Sequence, residues 1–226
     1  MSLTDRLFDL VFPRSCAACA EPCSGDAFCG ACRADLEALP DGLGLFDYAG
    51  PVGDAVRAAK YDGRPEAMPA VAAEVARALP RALRDDPPQW VVAVPLHPRR
   101  RARRPLDAPG LLARAVGRSL GARVERRGVV RLRDTPPQAG LSALERVANV
   151  QGAFAAHPRV AGLDVLVVDD VVTTGATLQA VADALMRGGA ARVRAIAAAG
   201  VAPRGPLLAL GDEAALTRGA VAQLGE

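Results

Sequence analysis

The segment VLVVDDVVTTGATLQA, residues 165–180, constrains the fold of this 226-residue chain more than any other. It begins with a run of β-branched apolar residues, which is typical of a strand buried on both faces of a parallel sheet. The strand is predicted to end in two adjacent carboxylates, Asp169 and Asp170. A helix is predicted to follow over residues 177–187. A strand, a turn and a helix in this order indicate an α/β fold.

The turn after the carboxylates consists of Thr173, Thr174, Gly175, Ala176 and Thr177. Backbone N–H groups at the start of a helix point at one anion, the helix dipole favours its charge, and threonine hydroxyls add hydrogen bonds. Gly175 allows a positive φ or a close backbone approach. Two carboxylates would repel a bare phosphate, so we expect Asp169 and Asp170 to hold sugar hydroxyls or a phosphate-bound Mg²⁺. The predicted ligand is a sugar phosphate, and the alternative is a threonine-capped helix that binds nothing.

The rest of the pattern extends this unit into a sheet. Residues 90–94 are predicted to form a second buried strand, while residues 111–120 and 141–150 have helical periodicity. We therefore expect an open, mostly parallel α/β sheet flanked by helices. Ligand sites in such sheets lie beyond the carboxyl ends of the strands.

Four regions are predicted along the chain. They are residues 1–40 with a helix and the cysteines, residues 41–88 as a helical segment, residues 89–202 as the sheet domain, and residues 203–226 as a tail. Helices are predicted around residues 34–39 and 65–83. The boundary near residue 88 follows from Pro87 and Pro88, which cannot continue a helix.

All five cysteines lie between residues 16 and 32. Two CxxC pairs, Cys16 with Cys19 and Cys29 with Cys32, can each offer two thiolates from one tight turn to a tetrahedral ion. Because four thiolates leave no open coordination position, we predict a structural zinc in a ribbon-like region. Cys23 is either a small side chain in the intervening loop or a replacement for one of the four ligands.

Positive charge is concentrated in the middle of the chain, although the net charge is only +3. Residues 97–133 carry 12 arginines against Asp107 and Glu125, a net charge of +10. Such an excess indicates a polyanionic partner. Three partners of this kind are possible: a phosphate-rich small ligand, nucleic acid or an acidic protein surface. The alternative is a solvated arginine face.

Composition argues against several other classes. Lys60 is the only lysine, so the Gly-Lys-Ser/Thr sequence of a P-loop is absent. With only His97 and His157, the chain is a poor fit to multi-histidine metal sites and histidine-based triads. No apolar run approaches the ~18 residues of a membrane span, and the first residues lack the basic region and cleavage site of an export signal. We therefore expect a cytoplasmic protein that is not integral to a membrane.

The stretch VVDDVVTTGAT, residues 167–177, resembles the signature of type I phosphoribosyltransferases, which bind 5-phosphoribosyl 1-pyrophosphate (PRPP). The chain as a whole resembles the ComF family of phosphoribosyltransferase-like proteins, which is associated with competence and DNA uptake. The matching features are the double CxxC, Lys60-Tyr61-Asp62-Gly63, the VPLH of residues 94–97, the spaced polar residues of 131–154 and the phosphate turn. They cover the chain from about residue 3 to about residue 200.

This resemblance implies a type I phosphoribosyltransferase fold in which residues 173–177 hold the 5-phosphate. Asp169 and Asp170 would be the catalytic pair on the ribose hydroxyls, with Mg²⁺ bound together with PRPP. The cations expected to face pyrophosphate or DNA are Lys60, Arg99, Arg100, Arg101, Arg103 and Arg104. The matched positions expected on a mobile segment near the site are Gln138, Arg146 and Asn149, for which helix capping is the alternative role.

One segment departs from the family pattern. Where the family reads Arg-Gly-Phe-Asn-Gln, this chain has Arg104-Pro105-Leu106-Asp107-Ala108. If the Asn-Gln pair contacts a substrate, that contact is missing here or is replaced by Asp107.

Three functions follow from these features. We favour a PRPP-binding protein that acts in competence-type DNA uptake. Two uses of its PRPP site stay open: Mg²⁺-dependent phosphoribosyl transfer to an unknown acceptor, and a site kept as a sensor without catalysis. The second is a non-catalytic module that holds single-stranded DNA through the arginine-rich loop, with a backbone-driven and salt-dependent affinity. The third is a protein that docks partners, such as DNA-uptake proteins, through its zinc region and basic loop.

Overall fold

The structure is a computed structural model that describes residues 15–23, 27–39, 43–96, 106–134, 143–201 and 209–210. The predicted amino-terminal helix lies outside these residues, as does most of the predicted tail. Within the described residues, no helix combines the length and the hydropathy needed to cross a bilayer.

A mostly parallel sheet forms the centre of the molecule and confirms the predicted fold class. Its strands are β1 (Gly44–Asp47), β2 (Trp90–Ala93), β3 (Arg123–Val124), β6 (Asp164–Val172), β7 (Arg192–Gly200) and β8 (Ala209–Leu210). The order across the sheet is β1-β7-β6-β2-β3 with all neighbours parallel, while β8 pairs antiparallel with β7. A separate antiparallel ribbon joins β4 (Val129–Arg131) to β5 (Phe154–Ala156).

Helices cover both faces of the sheet. They are α1 (Gly30–Ala34), α2 (Pro51–Tyr61), α3 (Ala67–Arg77), α4 (Arg81–Asp85), α5 (Ala108–Leu120), α6 (Ala143–Val150) and α7 (Ala176–Arg187). Because successive strand residues point to opposite faces, neighbours in β6 belong to different cores. Leu166 and Val168 pack with α2, α3 and α5, whereas Val165 and Val167 pack with α7 and the β4–β5 ribbon.

The strand β6 is longer than the sequence analysis predicted. The strand was predicted to end in the two carboxylates, but it continues past them to Val172. Its pairing with β7 explains the extension, since Asp169 lies opposite Ala197 and Val172 lies opposite Gly200. The acids are therefore held by a hydrogen-bonded ladder at the carboxyl end of a central strand.

Two predicted helices have different bounds in the structure. The helix predicted over residues 65–83 is interrupted after Arg77 and restarts at Arg81, because Pro80 has no N–H group to donate. Arg84 donates to the carbonyl oxygens of Leu79 and Arg77, which stabilises the break. The helix predicted around residues 34–39 instead spans Gly30–Ala34, so it begins directly after Cys29.

Candidate functional site

The turn between β6 and α7 forms a shallow concavity at the carboxyl edge of the sheet. Asp169 and residues 171–178 line it. Gly175 has a φ of 77°, a left-handed conformation that favours glycine. The N–H of Ala176 donates to Thr174 Oγ1 at 3.4 Å, and the first turn of α7 contains no acidic residue. The positive end of the helix dipole therefore faces a concavity lined by threonine hydroxyls and backbone N–H groups, the donors that suit an anion.

Asp169 is a buried carboxyl group beside this turn. Its residue is 9% exposed, and Oδ1 accepts the N–H of Asp170 at 2.8 Å. Burial, and then the charge of Asp170, raise the pKa of Asp169 to about 7. A carboxyl group with such a pKa can exist in either protonation state near neutral pH, as groups at functional sites often do.

Asp170 lies on the other side of the strand and is paired with the chain's only lysine. Lys60 Nζ, at the end of α2, lies 2.7 Å from Asp170 Oδ1. Both side chains are largely buried, with exposed fractions of 15% for Lys60 and 13% for Asp170. The sequence predicted Lys60 as a cation near the pyrophosphate, and the structure places its ammonium group against the second carboxylate.

A cavity of about 250 Å³ opens on the Asp170 side. Its lining consists of Ala59, Lys60, Tyr61, Gly63, Pro65, Leu96, Leu106, Ala108, Pro109 and Asp170. Apart from the Lys60–Asp170 pair, the lining is mainly apolar, and Tyr61 is 68% exposed at the cavity. An apolar cavity with a few convergent polar groups is a common form of small-molecule site. Nothing in the sequence pattern predicted this cavity, because it combines α2, α5 and the segment after β2.

Arg131, on the ribbon strand β4, is a further cation near the carboxylates. Its positive charge acts against the rise in the pKa of Asp169, as does that of Lys60. The Arg131 guanidinium lies 5.3 Å from the centroid of the Phe154 ring. Arg131 belongs to a motif that matches the family, but it was not predicted as a site residue, because the pairing of β4 with β5 is what brings it close to β6.

Several predicted site residues cannot be placed. Arg99, Arg100, Arg101, Arg103, Arg104 and Gln138 lie outside the described residues. The backbone of Arg146 lies on α6, and Asn149 is half-buried near the end of the same helix.

Asp107 has a local role in the segment that departs from the family pattern. Its side chain caps α5, because Oδ1 accepts the N–H of Gly110 at 3.1 Å. An aspartate at this position stabilises the start of the helix. The capping contact explains why an acid is suitable here.

The four predicted metal ligands form a cluster at the amino-terminal side of the fold. The sulfurs of Cys16, Cys19, Cys29 and Cys32 all lie within 4.8 Å of one another. Thiolates around a tetrahedral zinc, with Zn–S bonds of about 2.3 Å, would have sulfur–sulfur distances of roughly 3.8 Å. The 3.6 Å distance between Cys19 Sγ and Cys29 Sγ fits that arrangement.

The surroundings of the cluster favour a bound cation. Burial acts against ionisation of Cys16, but backbone N–H groups of Cys29, Cys19 and Ala18 point at its sulfur and lower its pKa to about 6. Burial and the neighbouring thiols raise the pKa of Cys32. Four thiolates so close together repel one another, and a metal ion removes this repulsion. The four cysteines are therefore close enough to bind one metal ion and have the donor chemistry to do so.

A protein-family model agrees with the fold and with the motif at the carboxylates. A model of the phosphoribosyl transferase domain matches residues 111–206. Among solved structures, a glutamine phosphoribosylpyrophosphate amidotransferase from B. subtilis aligns with 67% of this chain and 32% of that chain, at 18% identity and a TM-score of 0.40.

Curated relatives cover most of the chain. The DNA utilization protein YhgH of Salmonella typhimurium is 33% identical over 183 residues, which is 79% of this chain and 81% of the relative. The protein of the same name from Escherichia coli K12 is 32% identical over the same shares. Together with the phosphoribosyl transferase domain and the clustered CxxC pairs, this similarity shows that the chain belongs to the ComF family of phosphoribosyltransferase-like proteins.

Proposed function

We propose that the chain binds PRPP at the carboxyl edge of the sheet and acts in DNA uptake. The observation that carries the proposal is the junction of β6 and α7, where two adjacent carboxylates precede a threonine- and glycine-containing turn at a helix N-terminus. The relatives named DNA utilization proteins support the biological role. A cytoplasmic location stays a prediction.

Each group has a distinct task in the proposed complex. Residues 173–177 receive the 5-phosphate, which their N–H groups and the helix dipole stabilise. Asp169 and Asp170 hold the ribose hydroxyls or a Mg²⁺ ion, whose preference for oxygen ligands their carboxylates satisfy. A Mg²⁺ ion held by these carboxylates would supply positive charge to stabilise the departing pyrophosphate. Lys60 orients Asp170 and offsets its charge.

The proposed reaction is the transfer of the phosphoribosyl group to an acceptor. The bond from C1 to pyrophosphate breaks as a bond from the acceptor to C1 forms, through a state with positive charge on the ribose. No side-chain nucleophile is required, since catalysis comes from positioning and electrostatic stabilisation. The acceptor enters the apolar cavity next to Asp170, on the opposite side of β6 from the phosphate turn.

The metal proposed at the four cysteines is a structural zinc. Thiolate ligands suit zinc, and the closed set of four leaves no position for substrate. Its task is to hold residues 16–32 together against the hydrophobic core, to which Cys16 and Phe28 belong.

A second candidate function is the binding of single-stranded DNA. The observation that favours it is the net charge of +10 over residues 97–133. Within the described part of this segment, Arg114, Arg118, Arg126, Arg127 and Arg133 are exposed. Arginines that contact phosphates would give an affinity that falls steeply with salt.

The deciding experiment is a calorimetric titration of PRPP with Mg²⁺ into the wild type and into the double variant Thr174→Ala, Asp170→Asn. We expect micromolar binding by the wild type and a loss of at least about tenfold in the variant. The matched control is Ser119→Ala, Asp85→Asn, which removes one hydroxyl and one charge at exposed positions on α5 and α4. Equal affinity of all three proteins, or no binding by the wild type, would contradict the proposal. Salt-dependent binding of single-stranded DNA without PRPP binding would support the second candidate instead.

A further inference from the structure

Arg64 joins the cysteine cluster to the segment that forms one wall of the cavity. Its Nη2 donates to the carbonyl oxygen of Cys16 at 2.6 Å, and its Nη1 donates to that of Ala18 at 3.4 Å. Both carbonyls belong to the turn between Cys16 and Cys19, which supplies two of the four sulfurs. The Arg64 side chain is only 20% exposed, so these charge-assisted hydrogen bonds are partly shielded from water.

The other end of the same segment reaches the second carboxylate. Lys60 lies four residues before Arg64, and its ammonium group is 2.7 Å from Asp170. Between them α2 ends and the chain turns through Gly63, whose φ is 68°. The N–H of Arg64 donates to the carbonyl of Ala58 at 3.2 Å, which closes the turn. The segment 60–64 is thus held at one end by the cysteine turn and at the other by β6.

From these contacts we infer that Arg64 is a positioning residue that couples metal binding at the cysteines to phosphosugar binding at Asp170. A metal ion at the cluster fixes the Cys16–Cys19 turn and with it the carbonyls that orient Arg64. The orientation of Arg64 sets the position of Lys60 and of the cavity wall formed by Tyr61 and Gly63. Loss of the metal frees the turn, so the segment no longer holds Lys60 against Asp170. This inference rests on the proposed function, because it needs PRPP to bind at the carboxylates.

Coupling of this kind is reciprocal, and reciprocity distinguishes it from a merely structural contact. If zinc strengthens PRPP binding by some factor, PRPP must strengthen zinc binding by the same factor. An arginine that only packs the cysteine turn would affect zinc affinity but would not make that affinity depend on PRPP.

The test compares zinc affinity with and without saturating PRPP and Mg²⁺, by competition with a chromogenic chelator. In the wild type we expect PRPP to raise the apparent zinc affinity at least about fivefold. In Arg64→Ala, the protein still holds zinc, but PRPP no longer changes the zinc affinity, and PRPP binding is weakened by a similar factor. Arg64→Lys, which keeps the charge but loses the planar fork, should be intermediate. Arg81→Ala is the matched control, since Arg81 is 91% exposed and pairs with Asp85 on its own helix.

Failure of the inference and failure of the proposed function give different results. If PRPP binds but leaves the zinc affinity of the wild type unchanged, the inference is overturned and the proposed function stands. If PRPP binds neither to the wild type nor to the variants, the proposed function fails. The link from the cysteine turn to β6 is then tested by amide hydrogen exchange at residues 60–64. If the link exists, amide exchange at residues 60–64 should become at least about tenfold faster when the metal is removed. The same increase is expected in Arg64→Ala with zinc still bound. Unchanged exchange in both would overturn it.

Discussion

Asp169 and Asp170 are neighbours in the chain, but they lie in different surroundings. Strand geometry turns Asp169 towards the phosphate turn and Asp170 towards Lys60 and the cavity. Asp170 has a cation at 2.7 Å, whereas Asp169 accepts one backbone N–H and has more distant cations. Burial of Asp169, and then the charge of Asp170, outweigh these favourable contacts, so the folded protein binds a proton at Asp169 more tightly than the unfolded chain does.

This difference predicts how stability depends on pH. Because the pKa of Asp169 rises from 3.8 to about 7 on folding, its contribution to stability falls as the pH increases between those values. Asp169→Asn resembles the protonated acid and should raise the free energy of unfolding by up to about 4 kcal/mol at pH 8. Chemical denaturation from pH 5 to pH 8.5 should show this gain shrinking as the pH is lowered.

The exposed Asp85→Asn variant is the control for that measurement, and we expect no pH-dependent gain from it. A gain for Asp169→Asn that stays constant across the pH range would show that the buried carboxyl group is not the cause. The same variant should bind PRPP with Mg²⁺ more weakly, since it lacks a carboxylate ligand, so stability and binding should change in opposite directions.

At the scale of elements, the sequence predicted one part of the fold best. That part is β6, the turn after it and α7. The apolar run, the acids and the Thr/Gly turn are contiguous, so local pattern identified them. The strand's extension to Val172 was missed, because it depends on pairing with β7. The contacts of Lys60, Arg64 and Arg131 were missed for a similar reason, since each partner is distant in the chain.

The turn itself can be tested through its left-handed glycine. Gly175→Ala should lower the free energy of unfolding by about 1 to 2 kcal/mol, because a β-carbon is strained at positive φ. It should also weaken PRPP binding, since relief of the strain would move the N–H groups that we propose bind the phosphate. Thermal or chemical denaturation and the calorimetric titration measure the two effects.

Gly121→Ala provides a matched comparison. Gly121 has a φ of 64° at the end of α5, and a β-carbon there would meet no atom within 4 Å. The loss of stability should therefore be similar to that of Gly175→Ala, but PRPP affinity should be unchanged. Equal PRPP affinity in both variants would argue against the turn as the phosphate site.

At the scale of the whole molecule, one hydrophobic cluster runs from Cys16 through α2, α3 and α5 to the sheet. Two arginine links accompany it, one from Arg64 to the Cys16–Cys19 turn and one from Arg33 on α1 to the buried Glu74 on α3. The sequence pattern predicted the cysteine ligands from spacing alone. The sequence could not predict how the cysteine region packs on the helices, because single arginines such as Arg33 and Arg64 do not form a recognisable sequence pattern.

The metal should therefore stabilise the whole fold as well as the cysteine region. We expect about one zinc per chain in protein purified under reducing conditions, measured by elemental analysis. Cys32→Ser should lose most of the metal and lower the melting temperature by several degrees, since a ligand to a structural zinc contributes to folding. Cys23→Ser should keep both the metal and the melting temperature, because Cys23 lies outside the four-sulfur cluster. Metal-free wild-type protein with an unchanged melting temperature would contradict this prediction.

The chain's single lysine lies in an ion pair with Asp170, so chemical labelling can probe the candidate site directly. Lys60 is the only lysine, so an amine-reactive reagent has a single side-chain target, and that target lies at the candidate site. Its side chain is 15% exposed and bound to a carboxylate, so acylation requires the pair to separate. The labelling rate at this one side-chain amine would therefore report how often Lys60 separates from Asp170, without any engineered probe.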